Sequence, residues 1–296
     1  MIGYSALLCW ALAAPLVVQI KSIPLFETLT IVFSVSFLIS SIKLTLCQQW
    51  SQLKQPWFLW LIGFLGIYGN DILYIAAFKH APAAHADLIN YLWPIIVILF
   101  TGFLPNEKLS VRHLFAASLG FAGVYVLIYQ HDQGFERQYL FGYLLAFLDA
   151  LVWSIYTLMA RRYGKSPVEI IGIYCGVGAV CSLLIHLQLE IVVLPNLQQC
   201  LILLLMGMTT QCLAYFFWDF GIKRGDFKLL SILSFGNPLL SIFFLIAFGM
   251  AKPSMELFIA SILITLGGMI GIVPWRAKHA SKNNPGQPHV CLKNNK

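Results

Sequence analysis

The sequence predicts an all-α integral membrane protein, in which ten transmembrane helices form two inverted five-helix repeats with both termini in the cytoplasm. Three observations support this fold class: an apolar composition, apolar runs of membrane-spanning length, and an internal repeat that coincides with a charge bias. The 296 residues are 59% hydrophobic and only 10% charged, whereas a soluble domain is about 25% charged. We therefore expect a lipid bilayer around most of the chain.

Polar residues divide the sequence into ten apolar segments, each long enough or nearly long enough to cross about 30 Å of hydrocarbon as a helix. They lie at residues 3–20, 25–46, 57–78, 83–104, 112–129, 140–160, 168–189, 198–222, 229–250 and 255–274. The first segment lacks the basic residues that precede the apolar core of a signal peptide. We interpret it as the first span.

The distribution of Lys and Arg predicts the orientation of these spans. With the N-terminus inside, only Lys21, Lys79, Arg137 and Lys252 of the 19 basic residues fall outside. Cytoplasmic loops carry an excess of Lys and Arg, so both termini are expected in the cytoplasm. The net charge of +7 therefore reflects topology, and the scattered basic residues predict no nucleic-acid partner.

An offset of 144 residues aligns the sequence with itself, pairing Gly63 with Gly207 and Pro94 with Pro238. The predicted domains are a first repeat at residues 1–130, a second repeat at 138–275, and a disordered basic tail at 276–296. Because each repeat has five spans, which is an odd number, the second repeat enters the membrane from the side opposite to the first. Inverted repeats of this kind are typical of secondary transporters, whose substrate site lies between the two copies.

Two aspartates inside predicted spans are candidate binding residues, because ionisable groups are costly in a membrane and are usually functional. Asp71 follows Asn70 and lies one helical turn before Tyr74, while Asp149 shares a helix face with Trp153 and Tyr156. These side chains could bind an ammonium group and stack on a ring. The alternative is that each aspartate only fixes helix packing.

The fourth span carries a polar stripe in which Asp87, Asn90, Tyr91 and Pro94 lie on one helix face. A proline inside a span frees a backbone carbonyl and permits bending. Pro94 and its repeat partner Pro238 are therefore predicted hinges, with a role in packing as the alternative. Asp87 and the neighbouring His85 are expected near the outer mouth, without a coupling role.

Several short motifs resemble the drug/metabolite transporter superfamily of the ten-helix EamA type. They include NYLWP at residues 90–94, NEKLS at 106–110 and FSVS at 33–36, together with Trp153, Tyr156, Tyr215, Trp218 and Gly221. The resemblance is closest to the aromatic amino acid exporter branch and spans residues 3–274. One departure is Ala251, where the second repeat has lost the counterpart of Glu107.

The resemblance implies a secondary transporter of the inner membrane that exports aromatic amino acids. The predicted substrate-binding residues are Asn70, Asp71, Tyr74, Asn90, Tyr91, Trp93, Asp149, Trp153, Tyr156, Tyr215 and Trp218. Alternatives are a carrier of another amphipathic metabolite or drug, a receptor-like membrane protein, and a membrane-embedded enzyme. The enzyme is disfavoured because the sequence contains no HExxH, GxSxG or Walker A motif.

The remaining predictions concern bound groups and partners. We expect no cofactor and no metal ion, a small-molecule substrate such as an amino acid, and a lipid bilayer as the surroundings. The expected oligomeric state is a monomer.

Overall fold

The computed structural model describes residues 2–101, 110–130, 134–135, 137–163, 168–224, 230 and 233–272, and these form a helical bundle. The first eight helices are α1 (Ile2–Ala11), α2 (Ala13–Gln19), α3 (Leu25–Leu46), α4 (Trp57–Phe64), α5 (Asn70–His80), α6 (Ala83–Asn90), α7 (Trp93–Thr101) and α8 (Val111–Ile128). A 3-10 turn, Trp50–Leu53, precedes α4. The predicted tail at 276–296 and the motif residues 106–109 lie outside the described residues.

A two-residue hairpin follows α8, in which β1 (Tyr129–Gln130) pairs antiparallel with β2 (Gly134–Phe135). After the 3-10 turn Arg137–Tyr139, the second part continues with α9 (Leu140–Arg162), α10 (Ile170–Leu189), α11 (Leu197–Met206), α12 (Ala214–Arg224), α13 (Asn237–Ala247) and α14 (Met255–Ile272). Apart from this hairpin, the regular structure of the described residues is helical, as predicted.

Seven helical segments among the described residues are long and apolar enough to cross a membrane. They are Leu25–Leu46, Trp57–His80, Ala83–Phe100, Val111–Ile128, Arg137–Ala160, Ile170–Leu189 and Leu197–Gly221. Three shorter apolar segments, Tyr4–Gln19, Asn237–Ala247 and Met255–Gly271, overlap the other predicted spans. The chain is thus a multi-pass membrane protein, and the count of ten spans stays a prediction.

The helix bounds follow the 144-residue offset of the sequence. Shifting α5 by 144 residues gives the bounds of α12, and shifting α8 gives those of α14. The partners α8 and α14 pack against each other, and so do α3 and α10. In addition, α1 packs on α12 while α9 packs on α5, so the first helix of each part contacts the other part.

Glycines allow α8 and α14 to approach closely. A Cβ atom at Gly267 would lie 2.6 Å from the Ala116 carbonyl oxygen, and one at Gly123 would lie 2.9 Å from that of Ala260. Small residues let helix backbones come together in membranes, where association depends on packing because lipid is as apolar as the side chains. This contact joins the last helices of the two parts.

Several predicted spans are interrupted rather than continuous. A π-helical segment, Leu65–Gly69, separates α4 from α5, and a second one, Gly207–Leu213, separates α11 from α12. When Leu65–Gly69 is shifted by 144 residues along the sequence, it falls within the bounds of Gly207–Leu213. Residues 91–92 form a turn between α6 and α7, next to Pro94. Residues at or next to these interruptions line a cavity in the centre of the bundle.

The N-terminus of α3 is anchored by a carboxylate from the end of α10. Glu190 accepts hydrogen bonds from the backbone N–H groups of Phe26 (3.0 Å) and Glu27 (3.1 Å). Its Oε2 atom also lies 2.9 Å from His186 Nδ1. A carboxylate at a helix N-terminus satisfies free N–H groups and interacts favourably with the helix dipole.

We predict that Glu190→Gln lowers the free energy of unfolding by about 1–2 kcal/mol, because it weakens these charge-assisted hydrogen bonds. Thermal unfolding of the purified protein in detergent would show a lower midpoint. The control is Glu169→Gln, which removes the partly exposed ion pair with Lys43 at 2.8 Å and should cost less. Equal midpoints for the two variants would contradict the prediction.

Candidate functional site

A central cavity of about 80 Å³ lies among α1, α2, α3, α5, α6, α7, α9 and α11–α13. This volume has room for several water molecules. Its polar lining includes three aspartates, Asp71, Asp87 and Asp149, whose exposed fractions are 6%, 1% and 0%. Three buried carboxyl groups in one membrane-embedded cavity make it the candidate binding site.

Asp149 of α9 is held by two amides from other helices. Asn70 Nδ2 at the start of α5 donates to Asp149 Oδ1. Asn90 Nδ2 at the end of α6 donates to Asp149 Oδ2. Both donors come from positions where a helix is interrupted, which brings their side chains into the bundle centre.

Asp71 is held by residues of the second π-helical segment and of α12. Gln211 Nε2 donates to Asp71 Oδ1 at 2.6 Å, and the Tyr215 hydroxyl donates to Asp71 Oδ2 at 3.3 Å. The same hydroxyl lies 3.3 Å from Asn70 Oδ1. This network links Asp71 to Asp149 through Asn70 and Tyr215.

Asp87 of α6 lines the cavity together with Asn90 and Tyr91 of the same polar stripe, and its location near the outer mouth stays a prediction. The Tyr74 hydroxyl donates to Asp87 Oδ1 at 3.2 Å, and Ser241 Oγ donates to Asp87 Oδ2. α6 ends at Asn90, and α7 starts anew at Trp93. Asp87 therefore lies one turn from a break in the middle of the bundle.

Aromatic rings surround Trp10 of α1 on one side of the cavity. The Trp10 ring centroid lies 5.5 Å from that of Trp153, 5.6 Å from that of Tyr215 and 5.4 Å from that of Trp218. Trp93 in turn packs edge-on against Trp218 at 5.5 Å. Edge-to-face packing of this kind is favourable for aromatic pairs and builds an aromatic wall that Tyr215 joins to Asp71 through its hydroxyl.

The two proline motifs meet beside the cavity. Asn237 Nδ2, next to Pro238, donates to the Tyr91 hydroxyl at 3.3 Å. Near Pro94, the Trp93 carbonyl accepts a hydrogen bond of 2.9 Å from Ser154 Oγ on α9. Both prolines lie in the first turn of a helix, α7 and α13, where a missing N–H costs little. The predicted hinges Pro94 and Pro238 therefore lie at two helix breaks that the Asn237–Tyr91 hydrogen bond joins.

The structure brings most of the predicted binding residues together. Nine line the central cavity, namely Asn70, Asp71, Tyr74, Asn90, Tyr91, Trp93, Asp149, Trp153 and Tyr215. Trp218 lies behind them, in contact with the Trp10 and Trp93 rings. Tyr156 instead lines a second cavity, because seven residues separate it from Asp149 and place it about 10 Å further along α9.

The second cavity is smaller, about 40 Å³, and its lining includes Tyr156, Tyr163, Tyr174, Gln55 and Asp219. Gln55 Nε2 donates to the Tyr174 hydroxyl at 2.6 Å, and this hydroxyl donates to the Leu59 carbonyl at 3.2 Å. The Tyr174 hydroxyl is therefore already hydrogen-bonded within the protein, both as an acceptor and as a donor.

Several lining residues were missed by the sequence reasoning. Trp10, Thr210, Gln211 and Asn237 line the cavity, and Ser241 binds Asp87. Trp10 could have been found as a tryptophan in the middle of the first span, away from both interfaces. Gln211 carried a similar signal, since an amide in an apolar span needs a partner.

Among the described residues, no group of three or more His, Cys, Asp and Glu side chains could hold a metal ion. The three cavity aspartates instead receive hydrogen bonds from neutral side chains. An arrangement of carboxyl groups, amides and aromatic rings can bind and orient a small molecule.

Comparison with known proteins assigns the fold to a family. The EamA-like transporter family matches the chain twice, over residues 1–129 and 140–273. The chain belongs to this family. It is therefore a transporter and not an enzyme, as the sequence predicted.

Named relatives come from several bacteria. The aromatic amino acid exporter YddG of Ancylobacter novellus is 35% identical over 273 residues, which cover 91% of this chain and 95% of the relative. The uncharacterized transporter YyaM of Bacillus subtilis is 24% identical and covers 75% of this chain and 76% of its own. A solved crystal structure with 36% identity matches with a TM-score of 0.73, over 91% of this chain and 94% of the other.

We predict that Trp10→Ala weakens binding of an aromatic ligand at least tenfold, because the substitution removes the ring that contacts Trp153, Tyr215 and Trp218. Binding of labelled tryptophan to the purified protein in nanodiscs would measure the loss. The matched control is Trp57→Ala, since Trp57 is 76% exposed and does not belong to the cavity lining. An equal effect of both substitutions would show that the loss is not specific to the aromatic wall.

Proposed function

We propose that this protein is a secondary transporter that exports aromatic amino acids across the inner membrane. The observation that carries the proposal is the central cavity, whose lining combines an aromatic wall around Trp10 with carboxyl groups that can accept an ammonium group. The relative from Ancylobacter novellus, named as an aromatic amino acid exporter, supports this cargo. The family membership supports transport without bond chemistry.

The proposed topology has ten spans, with both termini in the cytoplasm and the two parts inverted relative to each other. Seven segments of spanning length and three shorter apolar helices among the described residues supply ten candidate spans. The excess of Lys and Arg on one side supports the orientation. The matching bounds of α5 with α12 and of α8 with α14 support repeats near residues 1–130 and 138–275.

Alternating access would follow from movement at the helix breaks. Pro94 and Pro238 begin α7 and α13, and the Tyr91–Asn237 hydrogen bond joins the two breaks across the cavity. The Tyr91–Asn237 contact would close on one side of the membrane while the contact related to it by the repeat opens on the other side. The binding site would then be exposed to each side of the membrane in turn. Pro94 and Pro238 are the proposed hinges.

Within the cavity, we assign ammonium binding to Asp71 and Asp149, and Asn70 and Asn90 help to orient Asp149. Tyr74 and Tyr91 would complete the polar side, and Trp93, Trp153 and Tyr215 would contact the ring of the substrate. Trp218 would support Trp10 and Trp93 from behind. Tyr156, in the second cavity, would contact a substrate during passage rather than at the central site.

Flux measurements in proteoliposomes test the function directly. We expect saturable flux of labelled phenylalanine and tryptophan, and comparison with and without a pH gradient would reveal any coupling to protons. Asp71→Asn and Asp149→Asn should each reduce this flux at least tenfold, since a charge-assisted hydrogen bond contributes about 1.5–3 kcal/mol. Absence of saturable flux of any amino acid would contradict the cargo, and wild-type flux in both variants would remove their assigned roles.

The hinges have a separate test. Pro94→Ala and Pro238→Ala should slow transport several-fold while ligand binding in nanodiscs stays within about twofold, because removing the proline ring frees the preceding residue to become helical and lets the helix continue through the break. The control is Pro253→Ala, which lies in an exposed segment between helices. Unchanged transport rates in both hinge variants would assign these prolines to packing alone.

A further inference from the structure

The two cavities lie one beyond the other along α9. Trp153 lines the central cavity, and Tyr156, three residues later, lines the second cavity. Three residues advance an α-helix by about 4.5 Å, and the centroids of the two rings are 5.3 Å apart at an interplanar angle of 34°. A pair of neighbouring rings on one helix therefore lies between the two cavities.

The second cavity extends from this pair of rings towards one end of the bundle. Its lining includes Gln55, which precedes α4, and Tyr163, which follows α9 and is 39% exposed. The neighbouring side chains of Lys54 and Arg162 are exposed. Because Lys and Arg are enriched at the cytoplasmic ends of spans, this end of the bundle is the cytoplasmic end in the proposed topology. The second cavity would then lie between the cytoplasm and the central site.

Tyr156 packs against an irregular stretch of backbone. A Cβ atom at Gly66, in the π-helical segment Leu65–Gly69, would lie 2.5 Å from Tyr156 Cδ2 and 2.6 Å from Tyr156 Cβ. The tyrosine side chain thus occupies space that a glycine leaves open. π-Helical turns inside α-helices are frequent at functional sites. A change of conformation in this segment would move the surface on which Tyr156 rests.

The two buried tyrosines of the second cavity differ in how their hydroxyl groups are held. The Tyr174 hydroxyl accepts a hydrogen bond from Gln55 and donates one to the Leu59 carbonyl. Tyr156 is buried to a similar extent, with 7% of its surface exposed against 4% for Tyr174, but no hydrogen bond to the described residues holds its hydroxyl. Tyr156 is held by the packing of its ring, which can turn without breaking a hydrogen bond.

We propose that the second cavity is the entrance to the central site from the cytoplasmic end, and that Tyr156 is the gate between the two cavities. Its ring closes the passage beside Trp153. Movement of the segment Leu65–Gly69 removes the support of the ring, the ring turns away, and the two cavities join. The inference rests on the proposed carrier function and adds the route by which the aromatic substrate reaches the central site.

The size of the second cavity fits a passage better than a second binding site. Its volume of about 40 Å³ has room for a few water molecules and is too small for an aromatic amino acid. The substrate would pass through this space only while the Tyr156 ring is turned away and the volumes of the two cavities are joined.

The reactivity of an introduced thiol tests the gate in the full-length protein. Thr210→Cys places a thiol in the lining of the central cavity, and a cationic methanethiosulfonate that does not cross the bilayer labels it from one side of the membrane. Inside-out membrane vesicles present the cytoplasmic end to the reagent, and spheroplasts present the opposite end. Peptide mass spectrometry at position 210 separates this label from labels on the cysteines of the chain itself.

Tyr156→Ala should raise the labelling rate from the cytoplasmic end about tenfold, because labelling follows the population of the open gate. The rate from the opposite end should not change. The matched control is Tyr163→Ala, which removes a ring from the mouth of the same cavity and leaves the Trp153–Tyr156 pair in place. An unchanged rate in Tyr156→Ala, an equal rise in Tyr163→Ala, or a rise only from the opposite end would overturn the proposal.

Two glycine variants test the contact of the gate with the π-helical segment, and they leave the Tyr156 ring in the protein. A Cβ atom at Gly66 meets this ring, whereas a Cβ atom at Gly69 meets nothing within 4 Å. Gly66→Ala should therefore displace the ring and raise labelling from the cytoplasmic end, and Gly69→Ala should not. Equal labelling of the two variants, with folding verified by thermal unfolding, would contradict the proposal.

Tryptophan flux in proteoliposomes distinguishes failure of this inference from failure of the proposed function. Saturable flux through the unsubstituted protein, together with unchanged labelling in Tyr156→Ala, would overturn the gate and keep the exporter. Labelling that depends on Tyr156 without flux of any amino acid would support the gate and contradict the proposed cargo.

Discussion

The structure depends on one constraint, which is that the membrane interior supplies no water to hydrogen-bond buried polar groups. Asp71, Asp87 and Asp149 therefore have to find donors within the chain, and each finds two. The six donors come from α5, α6, α12, α13 and the second π-helical segment. The hydrogen bonds that satisfy the carboxylates thus also tie the helices of both parts around one cavity.

The helix interruptions provide these donors. A regular helix uses its own backbone groups and points its side chains along a fixed stripe, whereas a π turn or a break changes the direction of the residues that follow it. Asn70 follows the first π-helical segment, Gln211 lies within the second, and Asn90 ends α6. Ser36 on α3 donates to the Gln211 backbone oxygen at 3.2 Å, so the irregular backbone is itself satisfied. The positions that build the site are therefore also the positions where the helices can bend most easily.

The sequence predicted the features that follow from local patterns. Hydropathy located the segments that became helices, the offset of 144 anticipated the matching bounds of α5 and α12, and the cost of a charge in lipid singled out Asp71 and Asp149. It did not predict partners that meet across the bundle. Asp71 and Gln211 are 140 residues apart, and only the packing of α5 against the second part brings them into contact.

The most direct test of the central claim is an experimental structure of the protein in nanodiscs with bound tryptophan. The account predicts ligand density in the central cavity, with the amine nitrogen within about 3 Å of an oxygen of Asp71, Asp149 or Gln211 and the indole ring against Trp10. Density only in the second cavity beside Tyr156 and Tyr174, or at the lipid-facing surface of the helices, would contradict it.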